Sequence, residues 1–201
     1  GYLNFHQTIK ILRIRGDAMQ NSLPKGEGGM IAVLGSTIET LEKILKDYNE
    51  TLKVQIASDN SVGQIVWSGK NNDLESLAEK LRSVKIKNIR LPVSAPFHCG
   101  LMEKATAIMT NEINKLEFKN SSNILISNVT ADEIKDVNEL KILLIKQIEN
   151  RVRWRESVLK MIDKGVNQFI EIGPGKVLSG LVKRINKEVI VNSINNEEDI
   201  R

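Results

Sequence analysis

The chain has 201 residues, 41% of them hydrophobic, enough to bury a sizeable core in one domain or in one domain carrying a smaller insertion. Its 29 Lys and Arg against 25 Asp and Glu leave a net charge of +4, which suits an acidic or phosphate-bearing partner without marking a nucleic-acid binder. One cysteine excludes an internal disulfide framework, and neither a bilayer-spanning apolar run nor a charged-then-apolar leader is present, so a cytoplasmic location is expected.

The chain opens on Gly1-Tyr2-Leu3, without a methionine, and runs straight into an apolar periodic stretch, as a processed or incomplete protein would. Phe5, Ile9 and Leu12 repeat at helical spacing, which predicts a helix from residue 4 to about 20. "PKGEGG" (24–29) reads as a loop and "MIAVLG" (30–35) as a short apolar strand. Ile38, Leu41, Ile44, Leu45 and Tyr48 share one helical face. "VQIAS" (54–58) and "QIVWSG" (64–69) are predicted strands with "DNSVG" as the turn between them. Asn72 or Asp73 can cap a helix with the stripe Leu74, Leu77, Ala78 and Leu81, and "KNIRLPV" (87–93) closes the unit as a fourth strand. The order β-α-β-β-α-β is that of a ferredoxin-like subdomain.

Beyond residue 93 the pattern changes. Met102, Ala105, Met109, Ile113 and Leu116 predict a helix, "ILISNV" (124–129) a strand, and Leu140 to Ile148 a further helix. Trp154, Val158 and Ile162 mark another helix, and "NQFIEIG" (167–173) is an apolar strand. "PGKVLSGLVKRI" (174–185) reads as loop then helix, and "VIVNSI" (189–194) as a last strand. Alternating strands and helices argue for an open α/β sheet, formed by residues 1–29 and 94–201, into which residues 30–93 are inserted.

The chemistry-bearing stretch is "SAPFHCGLM" (94–102), which holds the single cysteine and one of two histidines in a loop stiffened by Pro96, just after Pro92. Adjacent residues on an extended loop point to opposite sides, so His98 and Cys99 are poorly placed to act on each other. A metal site needs further ligands at recognisable spacing, and His6 lies far away, so no metal is expected. Two readings of His98 stand: a satisfied structural histidine, or a general base presented at a sheet edge. A base needs a nucleophile to serve, and no G-x-S-x-G elbow occurs in these 201 residues. Arg15, at the end of the first helix, is either a surface arginine or a two-pronged fork for a carboxylate. "EIGPGKV" could cradle a phosphate, but with two glycines it reads better as a tight strand-to-helix turn. "RVRWR" (151–155) interleaves arginine with tryptophan as a nucleic-acid binder would, and reads better as a solvated helix start.

Taken together, "RGDAMQ" (15–20), "DNSVGQIVWSG" (59–69), "LPVSAPFHCGLM" (91–102), "RVRWRESV" (151–158) and "FIEIGPGKVLSGLVKRI" (169–185) resemble the malonyl-CoA:acyl carrier protein transacylases of bacterial fatty-acid synthesis, in the family's order. The resemblance implies a hydrolase-like α/β core carrying the ferredoxin-like insertion. It implies ping-pong transfer of malonyl from CoA to a serine and then to the carrier's phosphopantetheine thiol, with no cofactor, no nucleic acid and no membrane. His98 matches the family's base, Arg15 its carboxylate clamp, Gln147 the glutamine that holds the histidine, and Asn60 a cleft-lining position. Ser58 stands where many members carry Asn, and Cys99 is left as a small buried filler. The family's nucleophile motif, Gly-x-Ser-Leu-Gly-Glu, lies ahead of the helix with which this chain begins. The chain is therefore expected to resemble the later part of the domain and to transfer little malonyl alone. The alternative is a non-catalytic remnant retaining weak carrier-protein or CoA binding.

Overall fold

The computed structural model describes residues 1–46 and 52–200. Helix α1 (Phe5–Gln20) starts at a reciprocal cap: Gln7 donates its backbone N–H to Asn4 Oδ1 at 2.8 Å, and Asn4 donates its own to Gln7 Oε1 at 3.2 Å. Strand β1 (Gly28–Leu34), helix α2 (Ile38–Lys46), strands β2 (Val54–Ser61) and β3 (Gln64–Lys70), helix α3 (Asn71–Ser83) and strand β4 (Lys87–Arg90) follow. These strands form one antiparallel sheet in the order β2-β3-β1-β4.

Central strand β1 is apolar along its length because both of its faces are covered. Side chains alternate between faces, so Ile31 and Val33 join Ile65 and Trp67 under the helices, against Leu41, Leu74, Leu77 and Leu81. Met30 and Ala32 point the other way, with Ala57 and Val66, onto Leu91, Val93 and Phe97. Leu74 and Leu81 are fully buried, and each such leucine stabilises by about 1.5–3 kcal/mol. Tyr48 of the predicted α2 stripe lies outside the described residues.

A short 3-10 turn, Gly100–Met102, leads into α4 (Glu103–Asn114); then come α5 (Val137–Lys146), α6 (Trp154–Asp163), β5 (Gln168–Ile172), α7 (Val177–Ile185) and β6 (Ile190–Ile194). β5 and β6 pair in parallel. Three methionines, Met19, Met102 and Met109, fill the space between α1 and α4 around Ala105 and Ile113. Such unbranched side chains suit an irregular gap between crossing helices. A fourth cluster, Val158, Val182 and Val189, packs α6 and α7 on β5 and β6. Among the described residues, no helix is long and apolar enough to cross a membrane.

Four local expectations are corrected. β1 starts at Gly28 rather than Met30, because Gly28 and Gly29 pair with Lys70 and Gly69. The turn predicted over 59–63 shrinks to Val62-Gly63, with Gly63 at φ 71°, because Asp59 to Ser61 continue β2. Helix α3 is capped by neither Asn72 nor Asp73: it begins at Asn71, whose side chain instead donates to Gly26 O at 2.5 Å and accepts from Arg90. Residues 124–129 form no strand. Their backbone groups are satisfied locally, Ser127 N–H donating to Asp132 O and Ile134 N–H to Leu125 O, both at 2.9 Å, around Ala131 at φ 57°.

β2 is also tied to the segment ahead of α6. Val152 N–H donates to Ala57 O at 2.8 Å and Asp59 N–H to Val152 O at 3.0 Å. Arg155 Nε donates to Asp59 Oδ2 at 2.9 Å, with Nη2 in ion-pair contact at the same distance, and Asp59 is only 2% exposed.

Candidate active site

The loop after β4 is held on the sheet from several sides. Pro92 removes a donor and ends β4, after Leu91 N–H has donated to Met30 O at 3.0 Å. Pro96 is buried, and a Cβ at Gly28 would lie 2.6 Å from its Cγ. Ser68 Oγ donates to Phe97 O at 2.5 Å, and Gly100 N–H donates to Gln55 Oε1 at 2.6 Å. Between these ties, His98 takes φ 59°, a left-handed conformation that costs a non-glycine residue free energy. The surrounding anchors hold it there.

His98 Nδ1 lies 2.9 Å from the carbonyl oxygen of Gln147, the residue that ends α5. A carbonyl can only accept, so Nδ1 carries the proton and the Nε2 lone pair of the neutral ring is left free. Burial pulls the imidazole below its ordinary pKa of 6.5; the Gln147 carbonyl opposes that shift and the charge of Arg15 adds to it. The ring is therefore neutral at pH 7, the state a general base needs. Arg15, half-buried on the last turns of α1, donates from Nη2 to the side-chain oxygen of Gln147. That bond fixes the amide's orientation, since a guanidinium only donates, and leaves Gln147 Nε2 facing His98 Nδ1 at 3.5 Å. Burial draws Arg15 below the ordinary guanidinium value, and among the described residues no carboxylate pairs with it.

The structure thus brings Arg15, Gln147 and His98, from three separate segments, into one hydrogen-bonded cluster. Beside it lies a cavity of about 640 Å³ lined by Arg15, Gln147 and mostly apolar side chains such as Leu12, Met109, Ile124 and Trp154. Asn60 sits half-buried near the end of β2 and is not a lining residue of this cavity.

Other sequence features have structural partners. Cys99 is buried, donates Sγ–H to Pro96 O at 3.1 Å, and is pushed up in pKa by burial, so it stays a thiol. In "RVRWR", Arg151 and Arg153 pair with Glu156 at 2.9 and 2.6 Å, and Arg155 with Asp59, which commits all three guanidinia to the fold. The α7 amino terminus is filled by Glu171, whose carboxylate accepts from Leu178 and Ser179 N–H at 3.1 and 2.8 Å. Those donors, and Ser179 above all, hold its carboxyl below the usual range. "EIGPGK" is a tight turn, with Gly173 and Gly175 at φ 140° and 90°, rather than a phosphate cradle. Among the described residues, no group of three or more His, Cys, Asp or Glu could hold a metal ion.

Gln55, Ser68 and Gly28 support the His98 loop but were not visible as site residues in the sequence. The only hint was the paired glycine of "GEGG", a place where backbone meets another element closely. Gly28→Ala should push the stiff Pro96 ring and the loop behind it, destabilising the chain by about 1–3 kcal/mol. Urea denaturation measures this, and an unchanged midpoint would show that the loop yields freely.

No family model matches the chain. The malonyl CoA-acyl carrier protein transacylase of Staphylococcus aureus (strain MRSA252) is 38% identical over 201 residues, covering 99% of this chain and 65% of that protein. That of Bacillus subtilis (strain 168) is 39% identical over 202 residues and is covered to 64%. The crystal structure of the Clostridium perfringens transacylase matches 100% of this chain and 63% of its own, with TM-score 0.94 and 38% identity. A malonyl-transacylase in complex with a type II PKS acyl-carrier protein matches with TM-score 0.93 and 30% identity, over 100% of this chain and 65% of its own. The chain thus spans less than two thirds of the length of these curated relatives. It shares their mixed α/β architecture.

Proposed function

We propose, from the premise that the chain belongs to the malonyl CoA-acyl carrier protein transacylase family, that it supplies the base and the carboxylate clamp of a malonyl-transfer site. In this reading, malonyl passes from the CoA thioester to a serine and then to the phosphopantetheine thiol of acyl carrier protein. His98 Nε2 takes the serine proton as the hydroxyl attacks the thioester carbonyl, then protonates the departing CoA sulfur. The second half-reaction runs the same steps in reverse, with the carrier's thiol giving up its proton. The serine comes from a Gly-x-Ser-Leu-Gly-Glu segment, which these 201 residues do not contain. The site takes no cofactor, and the chain works in the cytoplasm.

The strand order and the antiparallel pairing support reading residues 30–93 as a ferredoxin-like insertion. Residues 1–29 and 94–201 then form a hydrolase-like core. The observation that carries the functional reading is a half-buried arginine, without a carboxylate partner among the described residues, joined through Gln147 to a neutral imidazole.

A malonyl carboxylate is charged at neutral pH and costly to bury unpaired. Two guanidinium bonds to it are worth about 1.5–3 kcal/mol, or roughly tenfold to a hundredfold in kcat/KM. The test replaces the matching stretch of the Staphylococcus aureus relative with this chain and compares malonyl-CoA with acetyl-CoA as donors. Arg15→Ala should lower malonyl transfer by that factor, and acetyl transfer less or not at all. Arg15→Lys should restore only part, because a point charge lacks the fork. Equal losses for both donors would make Arg15 structural and end the clamp reading.

A further inference from the structure

Gln147 does two separable things. Its backbone carbonyl accepts from His98 Nδ1, whereas its side-chain oxygen accepts from Arg15 Nη2. Only the first contact survives truncation of the side chain. The second sets where the guanidinium sits before any ligand arrives.

The chemistry of an amide suits that task. A guanidinium offers five N–H donors, and here a single one meets a neutral oxygen of Gln147. A hydrogen bond from a charged donor to a neutral acceptor is weaker than one between two charged groups. An incoming carboxylate, with two oxygens and a full charge, can therefore displace or join the amide. A carboxylate of the protein at the same position would instead hold the guanidinium by an ion pair and compete with the ligand. Arg13, two residues earlier on α1, shows that alternative: it pairs with Asp17 at 3.0 Å.

We propose that the Gln147 side chain is a specificity-positioning residue, a neutral placeholder that keeps Arg15 at the wall of the cavity they both line and yields it to a substrate carboxylate. This rests on the reading of Arg15 as the clamp. It adds a requirement that the resemblance did not carry, namely that position 147 be an uncharged acceptor as well as a carbonyl behind His98.

The experiment uses the full 201-residue chain, with malonyl-CoA and acetyl-CoA as probes. Calorimetry gives the ratio of their affinities. Proton NMR of the imidazole follows His98, simple to assign because the chain has two histidines, the other being His6. Wild type should favour malonyl-CoA. Gln147→Ala should reduce that preference several-fold through lost positioning, and leave the His98 titration close to wild type because the carbonyl remains. Gln147→Glu should cut malonyl-CoA affinity at least tenfold, lower acetyl-CoA affinity far less, and raise the His98 pKa by placing a negative charge beside Nδ1. Gln147→Met, similar in volume but without the acceptor, should behave like the alanine variant, and thermal melts establish that each variant is folded. If the glutamate variant keeps the malonyl preference, or alanine and methionine leave it intact, the proposal is overturned. Arg15→Ala separates the two ideas. If it collapses the preference while the Gln147 variants do not, this inference alone falls. If wild type makes no distinction between the thioesters, the clamp and the placeholder fall together.

Discussion

Replacing His98 by alanine in a transacylase carrying this chain is expected to lower malonyl and acetyl transfer alike, by about a hundredfold to ten-thousandfold. In the proposed mechanism the base serves both acyl groups, so the loss should not depend on which is offered, unlike the loss at Arg15. His98→Asn is the sharper variant, because asparagine tolerates the left-handed backbone seen at φ 59° and so keeps the loop while removing the base. The pH profile follows from the lowered pKa. Transfer should hold as pH falls through 6.5 and decline only further down, as the folded ring gains its proton. Stability has the same sign. Below pH 6.5 the unfolded chain binds a proton that the folded ring resists, so stability drops as pH falls from there through the folded pKa. His98→Asn should flatten that part of the curve. Urea midpoints at pH 7.5 and 5 in the two proteins measure it, and parallel curves would show that His98 is not the group responsible.

Arg155→Ala should be costly for a surface-reaching substitution, at about 3 kcal/mol. It strands the Asp59 carboxylate, 2% exposed, without the guanidinium that donates to it and pairs with its charge. The figure sits at the low end for a broken buried pair because the arginine side chain is 33% exposed and partly screened. Asp59→Asn should cost less, since an amide oxygen can still accept from Arg155. Replacing both residues with apolar ones of similar size should recover much of the loss. Urea denaturation of the single and double variants decides this. A loss under about 0.5 kcal/mol for Arg155→Ala would mean that water reaches Asp59 as readily as the arginine does.

What the sequence made legible is whatever repeats locally. The stripe Leu74, Leu77, Ala78 and Leu81 named its helix and its buried face because the period of a helix is written in neighbouring residues. Its starting residue was not legible, since Asn71 spends its side chain on Gly26 and Arg90, partners that only the folded sheet brings near. "ILISNV" has the composition of a strand, yet Ile124 is 70% exposed and its neighbours fold into a local turn. Apolar composition describes a preference for burial, not the partner that satisfies it. Asp59 and Arg155 stand 96 residues apart, and nothing in either neighbourhood announces the other. Arg15, His98 and Gln147 were singled out by resemblance, and the structure joins them by hydrogen bonds, whereas Gln55, Ser68 and Gly28 carry no motif and act only through the positions of other atoms.

The ties from Gln55, Ser68 and Gly28 to the His98 loop also bear on how heat would inactivate the protein. Those ties come from the four-stranded sheet, whereas Arg15 and Gln147 ride on helices packed in a different cluster. Proteins commonly open in parts, each with its own free energy. If the sheet loosens first, the imidazole escapes its left-handed seat while the guanidinium keeps its place. Such a protein would lose the His98–Gln147 contact at a temperature where most of its helix signal is intact, with Arg15 still in place on its helix. The temperature at which the cluster comes apart would then be set by three residues that are not members of it.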